Sequence, residues 1–291
     1  MSVTPVSNAA PATQISLRDL CVRHTGAAAS KSDAGQNFAL KNISLQIKSG
    51  EQIAIIGPSG AGKTTLLHTL ACAHQPASGE LVWNDSYPWQ HTDAERHAMR
   101  RQLFLAPQSP PLPARQRVIT SVLAGRLPQW SLWQSLRSLF SPSDPVAAYE
   151  ALAHFHLQDK LYARVDQLSG GERQRCGLAR LCLSDARLLL VDEPLSALDP
   201  TLAVQTLNSL QQLARQRQAT LICSLHQVEL ARTHFPRVIG LRQGEILFDT
   251  DRVTDAMLTG LYRNAGSTSA PAHLATAAAP DTALPDTMRC F

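Results

Sequence analysis

The chain has 291 residues, enough for one large domain or two modest ones with ample core. Its 44% hydrophobic and 17% charged residues are ordinary for a globular fold, and its apolar runs last about half a dozen residues, far below the roughly 20 that a membrane-spanning helix needs. The net charge of +4, from 27 Lys and Arg against 23 Asp and Glu, is too small to argue for nucleic acid as a partner.

Residues 1–13 are rich in Ala, Pro, Ser and Thr, and disorder is expected there. Met1 to Ala12 has neither the basic region nor the apolar core of a secretory signal, so an intracellular location is expected. From Gln14 to Val22 and from Leu40 to Ile47, apolar and polar residues roughly alternate. This predicts two half-buried strands of an antiparallel layer, with a small-residue loop, Gly26 to Gln36, between them.

The apolar run Ile53-Ala54-Ile55-Ile56 leads into Gly57-Pro58-Ser59-Gly60-Ala61-Gly62-Lys63-Thr64, followed by the helix-like Thr65 to Leu70. Strand, glycine-rich loop and helix together form the context of a phosphate-binding P-loop. Glycines let the backbone wrap closely around a polyphosphate, and successive N–H groups then point inward at a positive helix N-terminus. Lys63 is placed to reach the β- and γ-phosphates, and the Thr64 hydroxyl to ligate Mg²⁺. The competing reading is an ordinary glycine-rich turn.

Further along, Gly79 to Asn84 predicts a strand. Thr92 to Arg101 predicts a helix, with Asp93 and Glu95 early and Arg100 and Arg101 late, matching the helix dipole. Leu103 to Leu105 runs into Pro107-Gln108. From Pro110 to about Leu168, prolines punctuate helix-like stretches that carry Trp130, Trp133, Leu136, Leu139 and Phe140. An inserted helical subdomain over about residues 109–168 is expected. Its two tryptophans suit either core packing or a partner contact. The arginine cluster Arg96, Arg100, Arg101, Arg115, Arg117 and Arg126 reads as a solvated face with contacts to a partner or nucleotide.

Leu168-Ser169-Gly170-Gly171-Glu172-Arg173-Gln174 contains a Ser-x-x-Glu capping box, which starts a helix. The two glycines leave first-turn N–H groups open to a second anion. Alone, the box fits a capped surface helix equally well. Arg187 to Glu193 and Ala219 to His226 contain continuous apolar runs, as expected of strands covered on both faces. Arg237 to Asp249 reads as a hairpin turning at Gln243-Gly244. Residues 265–291 are Ala, Pro, Thr and Ser with almost no aromatics, and a disordered tail is expected. The six cysteines, Cys21, Cys72, Cys176, Cys182, Cys223 and Cys290, form no Cys-x-x-Cys pair, so reduced thiols are expected.

Three predicted strands end in residues that can do chemistry: Gly57, Asp192-Glu193 and His226. In open parallel sheets ligands bind beyond the carboxyl ends of the strands, so these ends are expected to converge. Leu188 to Glu193 fits a Walker B strand, with Asp192 placed for Mg²⁺ and Glu193 placed to orient or deprotonate an attacking water.

With these motifs in this order, residues 14–264 resemble the ATPase subunit of an ATP-binding cassette (ABC) transporter. The resemblance implies an α/β fold: a P-loop NTPase, RecA-like, with a mostly parallel core, an antiparallel β layer and the inserted helical subdomain. It implies ATP and Mg²⁺ as ligands, with Gly57 through Thr64 and Thr65 around the phosphates. Gln108 resembles the Q-loop glutamine at Mg²⁺ and the γ-phosphate, Ser196 to Asp199 the D-loop, and His226 the switch histidine. By the same resemblance a second copy of the chain packs head to tail and presents Ser169, Gly170, Gly171 and Asp199 to the bound ATP. The family usually stacks adenine on an aromatic after the first strand; here His24 takes that position, with Phe38 as a rival.

Gly125-Arg126-Leu127 with Trp130 and Trp133, Leu225 to Arg232, and Leu261-Tyr262-Arg263 are similar to the phosphonate-importer branch. This implies a chain at the cytoplasmic face of the inner membrane, working with integral-membrane permease subunits and a periplasmic or extracellular solute-binding protein, and not with nucleic acid. A small solute other than a phosphonate, regulation of a membrane complex, or work on DNA are the alternatives. The last needs a long coiled coil before the signature, where none occurs. A GTPase needs an Asn-Lys-x-Asp string, which the sequence lacks.

Overall fold

The computed structural model describes residues 14–24, 38–140 and 143–263. The expectations for residues 1–13, Gly26 to Gln36, residues 265–291 and Cys290 fall outside them.

Strands β1 (Ile15–Arg23), β2 (Phe38–Ile47) and β4 (Ser78–Trp83) form an antiparallel sheet in the order β2-β1-β4. Their alternation is what buries one face: Ile43, Leu45 and Ile47 point into the core while their neighbours face out. The second sheet contains β3 (Gln52–Ile56), β5 (Leu103–Ala106), β6 (Leu188–Asp192), β7 (Thr220–Leu225), β8 (Arg237–Arg242) and β9 (Glu245–Thr250), in the order β5-β6-β7-β3-β8-β9. All its pairings are parallel except β8 with β9. That hairpin turns on Gln243 (φ 51°) and Gly244 (φ 83°), the two left-handed positions of a tight two-residue loop.

The continuous apolar runs have a simple cause. Ile53 and Ile55 of β3, with Leu188 and Leu190 of β6, face one core with the antiparallel sheet. Ala54 and Ile56, with Leu189 and Val191, face a second core on the opposite side. Both faces are covered, so both alternating sets must be apolar.

Nine α-helices are assigned among the described residues: α1 (Lys63–Leu70), α2 (Asp93–Arg100), α3 (Val118–Leu123), α4 (Leu132–Phe140), α5 (Pro145–Ala153), α6 (Gly170–Cys182), α7 (Pro200–Gln216), α8 (Val228–His234) and α9 (Asp255–Tyr262). Helix α2 buries none of its residues; a reciprocal capping box between Thr92 and Glu95 and the dipole-matched charges carry it instead. Three of the clustered arginines make contacts within the chain. Arg96 lies 4.9 Å over the Trp89 ring, Arg100 donates to the Cys72 carbonyl at 2.7 Å, and Arg126 pairs with Asp144 at 3.0 Å.

Helices α3 to α5 occupy the proline-punctuated stretch. The two tryptophans there part company: Trp130 packs against the core, whereas Trp133 is 81% exposed. The described cysteines are free thiols. Burial pushes the Cys72 thiol up to about 11 and the Cys176 and Cys182 thiols up to about 12.

Candidate functional site

Strand register assembles the site. Ile56 of β3 pairs with Leu225 of β7, Ser224 of β7 with Asp192 of β6, and Val191 of β6 with Ala106 of β5. The four carboxyl ends are therefore level. Strand spacing of about 4.8 Å puts Gly57, His226, Glu193 and Gln108 along one edge about 15 Å long.

The glycine-rich loop needs its glycines. A Cβ on Gly57 would lie 2.0 Å from the Leu241 carbonyl oxygen, and one on Gly62 (φ 103°) 2.7 Å from that of Ala39. Gly60 takes φ 76° with open space around it, beside the exposed Ser59. The loop is braced by Ala61 N–H on the Pro58 carbonyl (3.1 Å) and Gly244 N–H on that of Ala61 (3.0 Å).

Lys63, the first residue of α1, is 5% exposed. Its Nζ donates to the Gly57 carbonyl at 2.9 Å and the Pro58 carbonyl at 3.3 Å, closing the loop on itself. Burial holds its pKa below the ordinary lysine value, against the opposing pull of the Glu193 and Asp192 carboxylates. The Thr64 hydroxyl donates to Asp192 Oδ2 at 2.8 Å. Thr65, next in the helix, accepts from the Thr69 hydroxyl at 2.7 Å through its carbonyl.

Asp192 and Glu193 end β6 with different surroundings. Asp192 is buried, with Oδ2 on Thr64 and Oδ1 on the Ser224 hydroxyl. Glu193 turns out of the strand through a left-handed backbone, φ 48°. One carboxylate oxygen accepts from Gln108 Nε2 at 2.7 Å, and the other bonds His226 Nε2. Lys63, Thr64, Gln108, Asp192, Glu193 and His226 thus form one connected constellation.

Ser169, Gly170 and Gly171 lie elsewhere. Ser169 caps α6, with the Glu172 N–H on its hydroxyl at 3.2 Å and its own N–H on Glu172 Oε2 at 2.8 Å. A Cβ on Gly171 would lie 2.7 Å from the Ala197 carbonyl, whereas nothing approaches one on Gly170 closer than 4.0 Å. Asp199 caps α7, accepting from Leu202 N–H at 3.0 Å. Among the described residues, no hydrogen bond or ion pair joins this group to the glycine-rich loop. His24 is exposed just past β1; Phe38 opens β2 beneath the Arg23 guanidinium, 5.8 Å from its ring centre. The following residue, Ala39, is the one pressed against Gly62.

Two residues of the site went unread in the sequence. Ser224 donates to Asp192 Oδ1 and accepts the Glu193 N–H at 2.9 Å. Its signal was a polar residue inside an apolar strand, two before His226 and hence on the same face. Gln174 is buried in α6 and reaches the backbone of Glu193 and the loop after it; a polar residue in a helix interior gives no comparable sign.

A family model described as ABC transporter matches residues 40–196. The chain is 56% identical over 262 residues to the phosphonates import ATP-binding protein PhnC of Polaromonas sp. (strain JS666), covering 89% of this chain and 93% of that one. It is 55% identical over 251 residues to phosphonates import ATP-binding protein PhnC 2 of Albidiferax ferrireducens, covering 86% and 89%. Among solved structures, the dimeric ATP-binding cassette MJ0796 in a post-hydrolysis state bound to ADP and Pi matches with a TM-score of 0.67 at 26% identity, covering 82% of this chain and all of that one.

Proposed function

The chain belongs to the ABC transporter family of ATP-binding proteins, and from that premise we propose that it is the ATP-hydrolysing subunit that powers import of phosphonates. The ATPase half of the reading rests on one observation: the Glu193 carboxylate is gripped by Gln108 and His226 beside the Lys63 and Thr64–Asp192 contacts. The substrate class rests on the curated relatives, which are phosphonate import proteins by name.

Lys63 spends its donors on the Gly57 and Pro58 carbonyls. The β- and γ-phosphates of ATP replace those weaker acceptors, and they also offset the cost of burying the cation. The loop glycines supply the N–H nest. Thr64, Asp192 and Gln108 offer the hard oxygen donors that suit Mg²⁺, which when bound neutralises phosphate charge. Glu193 takes the proton of the attacking water, its carboxylate aimed by Gln108. His226 transfers its hydrogen bond from Glu193 to the γ-phosphate once ATP is in place. Ser169 and the open Gly170 serve the ATP of a second, head-to-tail copy, with Asp199 at the shared contact. His24, with Phe38 beside it, covers the adenine.

No helix among the described residues is long and apolar enough to cross a membrane. The chain acts at the cytoplasmic face of the inner membrane on permease subunits, supplied by a periplasmic or extracellular solute-binding protein. Trp133 is the permease anchor on α4, and Trp130 is a packing residue. Trp133→Ala is expected to leave the melting temperature of the chain unchanged within about 2 °C, since surface changes stay within about 0.5 kcal/mol, while weakening ATPase coupling to the permease. Trp130→Ala is expected to lower the melting temperature.

The reading is tested by reconstituting the chain with its permease in vesicles. ATP hydrolysis is expected to rise when binding protein loaded with a phosphonate is added and not when it is loaded with sulfate. Equal response to both discards the substrate class.

A further inference from the structure

We infer that Gln174 is a positioning residue for ATP hydrolysis: its side-chain amide sets the backbone from which Glu193 reaches the attacking water. This rests on the ATPase reading above, in which Glu193 is the base.

The Glu193 backbone is held in a disfavoured conformation. At φ 48° it sits in the left-handed region, which a residue with a Cβ disfavours by about 1–2 kcal/mol. Such a conformation persists only where neighbours over-determine it. Two side chains do so. On the amino side, the Glu193 N–H donates to the Ser224 hydroxyl at 2.9 Å. On the carboxyl side, Gln174 Nε2 donates to the Glu193 carbonyl at 2.6 Å and reaches the Ser196 hydroxyl at 3.3 Å. Gln174 Oε1 in turn accepts the Ala197 N–H at 3.2 Å. A single buried amide therefore holds both the peptide after Glu193 and the loop leading to Asp199.

The placement of Gln174 gives this grip its consequence. It sits five residues after Ser169 on α6, the helix whose first turn packs its Gly171 against Ala197. One rigid helix thus carries the signature glycines at its start and the clamp on Glu193 less than two turns later. A displacement of Ser169 and Gly170 by ATP on a second copy is transmitted to the Glu193 peptide without an intervening loop.

The substitution Gln174→Glu separates the two halves of the amide. It keeps the acceptor for Ala197 N–H and removes the donor to the Glu193 carbonyl. Protonation of the new carboxyl restores a donor of the same shape. A cavity of about 150 Å³ beside Gln174, lined also by Pro107, Pro110, Asp192 and Arg180, gives solvent room to deliver that proton. Asp192 and Arg180 are the charged residues lining this cavity. Gln174→Met keeps the volume and removes every hydrogen bond.

The experiment measures ATPase activity of the full chain as kcat and KM across pH 6 to 8, each variant taken as a ratio to wild type at the same pH. At pH 8 both variants are expected to lose about 10²-fold in kcat, the scale of a 1 Å misplacement, with KM for ATP within about threefold. As pH falls to 6, the ratio for Gln174→Glu is expected to recover at least several-fold, and that for Gln174→Met to stay flat. Wild-type kcat in Gln174→Met, or parallel pH profiles for the two variants, overturns the inference. Should Gln174→Glu fail to fold, Gln174→Met decides alone through its kcat against its KM. A wild-type chain that hydrolyses no ATP removes the reading underneath, and the inference with it.

Discussion

Glu193→Gln is expected to lower kcat for ATP hydrolysis by about 10² to 10⁴-fold while leaving ATP binding intact. The substitution keeps the size of the side chain, so the partners that hold Glu193 survive in part. One oxygen remains to accept from Gln108 Nε2, now bonded at 2.7 Å, and the backbone contacts to Ser224 and Gln174 do not involve the carboxylate. What disappears is the capacity to accept a proton from water. Lys63, Thr64 and Asp192, the residues proposed to hold the phosphates and Mg²⁺, are untouched. The check is steady-state turnover alongside equilibrium binding of ATP, with a stable ATP-bound dimer expected by gel filtration. Near-normal turnover in Glu193→Gln would remove Glu193 from the base role and reassign the constellation around it.

Lys63→Met is expected to do the opposite, abolishing binding itself. Lys63 is the cation at the floor of the glycine-rich loop, almost wholly buried, with its Nζ bonded to the Gly57 and Pro58 carbonyls. In wild type, ATP at about 100 times its Kd stabilises the fold by about 2.7 kcal/mol; in Lys63→Met that thermal shift is expected to vanish. A pH signature accompanies it. Burial holds the Lys63 pKa in the nucleotide-free fold below its ordinary value, whereas the unfolded chain keeps the proton up to about 10.4. The unfolded state therefore binds more protons between the two, and wild-type stability relative to Lys63→Met rises with pH across that window. Below it the full burial cost is present. Denaturant unfolding of both proteins between pH 8 and 10.5 measures the difference.

Much of the fold was legible because its signals are local. The alternation Ile43, Leu45, Ile47 marks a half-buried strand, and the unbroken Leu188 to Val191 marks one buried on both faces. Gln243-Gly244 marks its turn through the glycine, which takes positive φ without a Cβ penalty. The residues gathered at the strand ends were legible for a topological reason: parallel neighbours in register bring their carboxyl ends level.

What the sequence left open depends on long-range packing. Trp130 and Trp133 are three residues apart and chemically alike, yet Trp130, in the turn before α4, packs inward, whereas Trp133, on α4 itself, is exposed. Gln174 looks like any polar residue of a helix until α6 is laid against the loop after β6. The arginines of α2 read as a solvated face with contacts to a partner or nucleotide, but Arg96 and Arg100 serve Trp89 and the Cys72 carbonyl of their own chain. In each case the partner lies far enough away in sequence, or on a different element, that no periodicity could announce it.

ATP use by this chain is expected to drive phosphonate uptake. The most direct measurement is growth on a phosphonate as sole phosphorus source, in a strain deleted for this gene and free of any second phosphonate system. Wild type and Lys63→Met are returned on a plasmid, with phosphate medium as the viability control. Growth is expected with wild type and none with Lys63→Met, both strains growing equally on phosphate. Growth on the phosphonate without the gene, or with Lys63→Met, would contradict that expectation.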